Sequence, residues 1–132
     1  STMPIFGTGS LAVLAELHPD LREVLTEAIR LCDFSVYEGY RSHERQQHLF
    51  DTNKSKARPG QSKHNRLPSE AVDLWAYPIN WDDREQQAYV AGIILGIAHS
   101  MGIRMRWGHD WDADGDTRDN DFDDLPHFEL ID

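Results

Sequence analysis

The chain has little cysteine and no apolar stretch of membrane-spanning length. Its 132 residues include a single cysteine, Cys32, which excludes an internal disulfide and fits a reducing compartment. A membrane-spanning helix needs about 20 consecutive apolar residues, and the sequence has no such run. The first residues, STMPIFGTGS, have neither the basic nor the apolar segment of a secretion signal. We therefore expect a soluble protein that is made without its own signal peptide.

Positive charge is also scarce, because 13 Lys and Arg stand against 23 Asp and Glu, a net charge of −10. This balance argues against nucleic acid as a partner. The charge is unevenly spread: residues 109–124 hold eight Asp and one Arg, a net charge of −7, whereas residues 53–69 hold five cations and no acid. The sequence therefore predicts an acidic loop and a basic loop.

The length and the 39% hydrophobic content predict one domain over residues 1–132. Ser1 and Thr2 precede Met3, which indicates that they are a cloning remnant. Helical periodicity predicts a helix over 10–31 with a break at His18-Pro19, a helix that Ser42 caps, and a helix from Trp81 to Met101 that ends at Gly102. The buried stripe predicted for the last of these helices comprises Ala88, Ala91, Ile94, Leu95 and Ala98.

Strand-like segments are predicted at 34–40, 71–77, 104–107 and 127–130, and residues 52–70 form a long polar loop. This order of elements indicates an α+β domain in which helices pack against a small sheet.

Two short clusters carry the residues of a catalytic metal site. His64 and Asp73 lie within SKHNRLPSEAVDL, and Asp124 and His127 lie within DDLPHFEL. A catalytic zinc ion takes three protein ligands and leaves its fourth position open, and a nearby carboxylate can move the proton of a water molecule. If strands 71–77 and 127–130 pair, Asp73 and His127 can project from one face. Spacing alone leaves open an ordinary hydrogen-bonded polar pair.

The motif order SKHN, AVDL, RWGHDW and D-x-x-HFEL resembles that of the D-Ala-D-Ala metallopeptidase family, which includes VanX/VanY-type peptidases and phage L-alanyl-D-glutamate endolysins. The resemblance extends from about Phe34 to Leu130. It implies a hedgehog/DD-peptidase-like fold with an antiparallel sheet. It also implies that His64, Asp73 and His127 bind zinc, that Asp124 is the general base, and that Arg41 helps hold the scissile carbonyl or its oxyanion. The interval NRLPSE between His64 and Asp73 is longer than in many members.

The acidic loop matches the calcium-binding pattern of an EF-hand. Its candidate ligands alternate, and a last acid follows Gly115 after five intervening residues. They are Asp110, Asp112, Asp114, Asp116 and Asp121. The alternative is a flexible acidic loop without an ion. Some endolysins of the resembled family are calcium-regulated, and an ordered loop would also position Asp124 and His127.

Three further residues have candidate roles in the site. Ser62 is expected to make a hydrogen bond there, Trp111 to form a wall for the substrate, and His109 is the rival metal ligand because it adjoins the acidic loop. The basic loop leads into His64, so its cations would attract the free carboxylates of peptide stems.

The sequence predicts a zinc peptidase of peptidoglycan stems, and the resemblance favours a phage endolysin that cleaves the L-alanyl-D-glutamate bond. We expect a monomer in the host cytoplasm before lysis. One alternative is a D,D-carboxypeptidase or D-Ala-D-Ala dipeptidase with the same chemistry. The other is a non-catalytic, calcium-dependent binding module.

Overall fold

The computed structural model describes residues 3–115 and 124–132, and four strands in this part of the chain form one antiparallel sheet. The spatial order of the strands is β1-β2-β4-β3, so β2 and β4 lie at the centre. Their bounds are β1 (Phe34–Glu38), β2 (Ala71–Ala76), β3 (Met105–Trp107) and β4 (His127–Leu130). The predicted α+β architecture with a small antiparallel sheet is confirmed. Ser1 and Thr2 lie outside the described residues.

Within the described residues, four α-helices accompany this sheet: α1 (Thr8–Leu14), α2 (Pro19–Ala28), α3 (His43–Asp51) and α4 (Arg84–Ser100). The break predicted at His18-Pro19 separates α1 from α2, because proline fits the first turn of a helix but not its interior. Ser42 caps α3 by accepting a hydrogen bond from the backbone N–H of Arg45. Gly102 follows α4 with φ +72°. In the described part of the chain, no helix combines the length and the apolar character that crossing a bilayer requires.

The stripe predicted for α4 is wrong in part. Ala88 is exposed, and the buried position beside it belongs to a glutamine, Gln87. The Gln87 side chain accepts a hydrogen bond from Ala76 N (2.8 Å) and donates to Leu74 O and Leu125 O (3.1 Å each). Gln87 is therefore buried because its amide pairs with three backbone groups. The helix also begins at Arg84 and not at Trp81, since Asp83 provides its N-terminal cap.

One face of the sheet is apolar and packs in the core, and the other face carries polar side chains. Val72 of β2 and Phe128 of β4 are paired residues, and both are fully buried in the hydrophobic core. Helix α4 packs against β2 and β3, and α2 packs against α4, which encloses this face. Because side chains alternate along a strand, the neighbouring residues Asp73 and His127 project from the opposite face.

A β-bulge in β1 adds a further carboxylate to that polar face. Val36 pairs with Leu74, but Glu38 pairs with Asp73, so the register shifts at Tyr37. Without the extra residue, Glu38 would face the core together with Val36. The bulge instead places Glu38 on the same face as Asp73.

Candidate metal centre

Three side chains from two strands and one loop converge on a single point. The distances between His64 Nε2, Asp73 Oδ1 and His127 Nδ1 are all 3.2 Å. All three residues are buried. These are the three residues that the sequence predicts as zinc ligands, and the structure brings them together as a group that could hold a metal ion.

A one-turn 3-10 helix, Lys63–Asn65, carries His64. Ser62 caps this turn because its hydroxyl accepts a hydrogen bond from His64 N (3.1 Å). The turn is fastened to the neighbouring segment by Arg41 N, which donates to His64 O (2.7 Å), and by the Asn65 side chain, which donates to Arg41 O (2.9 Å). The predicted hydrogen-bonding residue Ser62 thus lies at the site and fixes the backbone that carries His64.

The second ring nitrogen of each histidine has a hydrogen-bond acceptor of its own. His64 Nδ1 lies 2.6 Å from Gly39 O, and His127 Nε2 lies 2.7 Å from Glu129 Oε1. Each of these nitrogens must carry a proton to donate to its oxygen, so in the neutral rings the remaining nitrogen presents a lone pair toward Asp73. A metal ion requires this tautomer of both histidines.

The dimensions of this triangle fit zinc. In a tetrahedral zinc site with ligands at about 2.0–2.1 Å, the ligand atoms are separated by about 3.3–3.4 Å. The three separations of 3.2 Å are close to this spacing. Two imidazoles and one carboxylate also form one of the usual donor sets of catalytic zinc. The residues present therefore fit the ion that the sequence predicts.

The surroundings of Asp73 and His127 favour the ionised forms of these two side chains. Burial opposes ionisation of Asp73, but hydrogen bonds from His127 and His64 outweigh it and hold the pKa of Asp73 well below its usual range. Burial likewise opposes protonation of His127, yet its hydrogen bonds to Asp73 and Glu129 raise its pKa to about 9. Without a metal ion, the positive charge of the protonated His127 ring is therefore stabilised by the carboxylates of Asp73 and Glu129.

Asp124 stands beside the triangle without belonging to it. Its backbone is held by hydrogen bonds from Asp124 N to Gly108 O (2.8 Å) and from His127 N to Asp124 O (3.1 Å). Burial raises the pKa of the Asp124 carboxyl, and nearby His127 only partly offsets this effect. A carboxylate with a raised pKa next to the candidate metal position has the properties of a general base.

Arg41 is buried at 8% exposure and has a partner for each of its nitrogens. Its Nε donates to Glu38 Oε1 (2.8 Å) and its Nη1 to Gln46 Oε1 (2.9 Å), while Nη2 lies 3.6 Å from Asp73 Oδ2. Gln46 in turn donates to Ser55 Oγ (3.0 Å) and to the Ala57 carbonyl (2.7 Å) in the basic loop. Arg41 thus contacts the second oxygen of a candidate ligand from within the same cleft.

One cleft contains all seven residues that the sequence predicts as zinc ligands, catalytic groups and substrate contacts. The acidic, basic and aromatic members line it together. They are Arg41, Ser62, His64, Asp73, Trp111, Asp124 and His127. The Trp111 ring lies 5.4 Å from the His127 ring. His109 packs its ring against Trp107 at 5.0 Å and is not a member of the triangle.

Comparison with known proteins decides the family. Residues 4–131 match the family model of the phage L-alanyl-D-glutamate peptidases. The chain belongs to this family. An L-alanyl-D-glutamate peptidase of Escherichia phage T5 is 31% identical over 120 residues, which cover 86% of each chain. The resemblance noted in the sequence is thereby confirmed.

Solved structures agree with this assignment to the L-alanyl-D-glutamate peptidases. The L-Ala D-Glu endopeptidase ChiX of Serratia marcescens is 33% identical and superimposes with a TM-score of 0.77, covering 96% of this chain and 89% of that one. The LD-carboxypeptidase LdcB is only 17% identical with a TM-score of 0.56, covering 87% of this chain and 59% of that one, and it shows a shared fold alone.

The described part of the acidic loop ends at Gly115. Carboxylate oxygens of Asp110, Asp112 and Asp114 lie within 4.8 Å of one another. Gly115 has φ +80°, and its N–H donates to Asp110 Oδ2 (2.8 Å). The other two predicted calcium ligands, Asp116 and Asp121, lie outside the described residues.

Several residues around the centre were not found by the sequence analysis. Glu129 contacts His127, Glu38 and Gln46 contact Arg41, and Arg106 contacts Glu129. A signal existed for Glu129, because it follows His127 by two residues on a strand and therefore shares its face. Glu38 gave no such signal, since a bulge at Tyr37 determines the face on which it lies.

Proposed function

We propose that this protein is a zinc peptidase that hydrolyses the bond between L-alanine and D-glutamate in the peptide stems of bacterial peptidoglycan. The observation that carries the proposal is the triangle of His64, Asp73 and His127 with the separate carboxylate of Asp124 in the same cleft. Family membership supplies the substrate: both the family model and the similar proteins from phage T5 and Serratia marcescens are described as acting on this bond.

His64, Asp73 and His127 would hold the zinc ion, which supplies the Lewis acidity that lowers the pKa of water and polarises a carbonyl. Asp124 accepts a proton from the attacking water and delivers it to the amine of D-glutamate as the carbon–nitrogen bond breaks. Arg41 faces the same cleft, and its guanidinium can stabilise negative charge on the carbonyl oxygen of L-alanine. The products are a free carboxylate on alanine and a free amine on glutamate.

The charge of the cleft suits this substrate. A glutamate that uses one carboxyl group to continue the stem keeps the other one free, so the peptide is anionic next to the scissile bond. Besides Arg41, five cations line the cleft and would attract such a group. They are Arg45, Lys54, Lys56, Lys63 and Arg106.

The alternatives proposed from the sequence are less well supported. A D,D-carboxypeptidase or a dipeptidase would share the metal site, but the family and its more similar members are described by the L-alanyl-D-glutamate bond. A binding module would have no use for the carboxylate of Asp124 beside the triangle.

Mass spectrometry of fragments from purified peptidoglycan tests this proposal. Zinc-loaded protein should release stems that begin with D-glutamate, and protein stripped by a chelator should release none until zinc is restored. The matched control is His64→Ala, which should stay inactive after zinc is added. Release of D-alanine would support the carboxypeptidase alternative, and binding to peptidoglycan without cleavage would support the binding module.

We also propose that the acidic loop binds calcium and thereby regulates the enzyme. In support, Asp110 Oδ1 is buried and has no hydrogen-bond partner in the part of the chain that the structure describes, while the carboxylates of Asp112 and Asp114 face the same point. Burial raises the pKa of Asp110, and the neighbouring carboxylates of Asp112 and Asp114 raise it further. Calcium titration by calorimetry should show one site that Asp110→Asn weakens, and calcium should raise activity more than zinc content. Full activity without calcium would contradict this regulation.

A role in lysis follows from the proposed reaction. We propose that the protein acts as a monomeric endolysin that is held in the host cytoplasm until lysis. Added from outside, it should clear a suspension of permeabilised Gram-negative cells and leave intact cells unchanged. Equal clearing of both suspensions would show that a membrane does not keep the protein from the peptidoglycan, and would contradict its retention in the cytoplasm until lysis.

A further inference from the structure

Glu129 is a buried carboxylate next to the metal centre that neither the proposed ligand set nor the proposed proton transfer uses. It lies two residues after His127 on β4, and both side chains project from the same face of the sheet. Its Oε1 is 2.7 Å from His127 Nε2, and its side chain is only 8% exposed. The contact is on the ring nitrogen that faces away from His64 and Asp73.

The other oxygen of Glu129 is held by a pair of cations. Arg106 is the cross-strand partner of Glu129, and its Nε and Nη2 donate to Oε2 at 3.0 and 2.8 Å. Lys63 Nζ lies 3.8 Å from the same oxygen and also donates to Leu130 O. The carboxylate can therefore turn neither away from His127 nor into solvent without losing these contacts.

Arg106 connects this arrangement to the loop at the mouth of the cleft. Its Nη1 donates to the backbone oxygen of Trp111 (3.2 Å), and its guanidinium lies over the Trp111 ring at 5.6 Å from the centroid. The Trp111 ring, in turn, lies 5.4 Å from the ring of His127. His127 is thus restrained at one nitrogen by Glu129 and on one side by Trp111.

We infer that Glu129 is a positioning residue for the metal centre: it fixes the tautomer and the ring orientation of His127, and Arg106 holds it in place. This inference rests on the proposed function, because it takes His127 as a ligand. A carboxylate on the outer nitrogen of a ligand histidine makes the inner nitrogen a stronger donor and removes the freedom of the ring to rotate. Loss of such a partner usually lowers metal affinity by about 10–100-fold.

The alternative is that Glu129 only completes the hydrogen bonds of a buried charge cluster. Zinc affinity and cobalt spectroscopy separate the two roles, because a merely structural residue would change neither. Glu129→Gln keeps the size of the side chain and an oxygen that can accept from His127 Nε2, whereas Glu129→Ala removes the contact. Asp132→Asn is the matched control, since Asp132 also faces Lys63 (3.6 Å) but does not touch His127.

The test measures the zinc dissociation constant of each folded variant by competition with a chromophoric chelator, and the visible absorption of the cobalt-substituted protein. We expect Glu129→Ala to bind zinc about 10–100-fold more weakly and to alter the cobalt spectrum, Glu129→Gln to lie between it and the wild type, and Asp132→Asn to match the wild type. If Glu129→Ala does not fold, Glu129→Gln and Arg106→Gln carry the test, and both should weaken zinc binding.

Failure of the positioning role and failure of the proposed ligand set give different results. Wild-type zinc affinity and an unchanged cobalt spectrum in the Glu129 variants would overturn the positioning role and leave the metal centre intact. A wild-type protein that binds no zinc at all, or a His127→Ala variant that binds it as tightly as the wild type, would overturn the proposed ligand set itself.

Discussion

Asp73 on β2 and His127 on β4 are direct partners across the antiparallel sheet, with 3.2 Å between Asp73 Oδ1 and His127 Nδ1. On the other face, the adjacent pair Val72 and Phe128 is fully buried in the core. A slip of one residue between the two strands would turn a polar side chain into the core and an apolar one into the cleft. The hydrophobic core therefore fixes the register that assembles the candidate metal site.

The Asp73 carboxylate contacts both histidines of the triangle, so its removal tests whether the triangle binds the metal ion. We expect Asp73→Ala to weaken zinc binding by more than about 100-fold, because the loss of one of three ligands exceeds the loss of an outer partner. Zinc content after dialysis against a weak chelator measures the effect, and Asp20→Ala on α2 is a control carboxylate that does not belong to the triangle. A full equivalent of zinc in dialysed Asp73→Ala would show that the triangle is not the site.

The close approach of Gly108 to Asp124 gives a second prediction. A Cβ at position 108 would lie 2.2 Å from Asp124 O and 3.0 Å from Asp124 Cβ, so Gly108→Ala must displace the segment that carries the proposed base. We expect a loss of about 1–3 kcal/mol of stability and a fall in kcat.

Gly96→Ala is the control for this substitution, since a Cβ there meets nothing within 4 Å on helix α4. It should stabilise the protein by up to about 1 kcal/mol and leave kcat unchanged. Thermal unfolding and peptide hydrolysis measured on both variants decide the matter. An active Gly108→Ala protein of wild-type stability would refute the contact.

Gln87 provides a test of the fold behind the site. Gln87→Leu removes the side-chain partner of Ala76 N and Leu74 O, whereas Leu125 O keeps its hydrogen bond from Trp107 Nε1 (2.7 Å). Each buried group left unsatisfied costs about 1–3 kcal/mol. Denaturant unfolding should show a loss of several kcal/mol. The neighbouring Gln86 is exposed, so Gln86→Leu should change stability by less than about 0.5 kcal/mol. Similar values for the two variants would contradict the assignment of Gln87 to the core.

The basic side of the cleft should affect binding more than chemistry. Lys54 and Lys56 line the cleft, whereas Arg58 of the same loop stacks on Phe50 and is not among the lining residues. With a soluble stem peptide, Lys54→Glu with Lys56→Glu should raise KM about 3–10-fold and change kcat little. Arg22→Glu on α2 with Arg30→Glu in the turn that follows this helix makes the same change in net charge at two exposed positions. If this control pair raises KM as much, the effect is not local to the cleft.

The sequence was sufficient for the features that depend on local pattern. The break before Pro19, the cap at Ser42 and the strand HFEL follow from the chemistry of single residues and from alternation. It was also sufficient for the residues of the triangle, because the motif order that resembles the family specifies them together. The sequence did not predict the contacts that depend on the register between strands.

Two residues show why. Glu38 reaches the polar face only through the bulge at Tyr37, and Gln87 is buried only because three backbone groups of distant segments meet it. A polar residue at a helical position is normally exposed, so pattern alone favoured Ala88 at this point of α4.

The zinc content and the peptidase activity of Asp124→Asn, measured on the same sample, test the central claim most directly. Asp124 stands beside the three candidate ligands and not among them. We predict that the variant keeps about one equivalent of zinc, as a three-ligand site requires, and that its cleavage of the L-alanyl-D-glutamate bond falls by at least about 100-fold, as for a lost general base. Loss of the zinc, or wild-type cleavage by the zinc-loaded variant, would contradict the account.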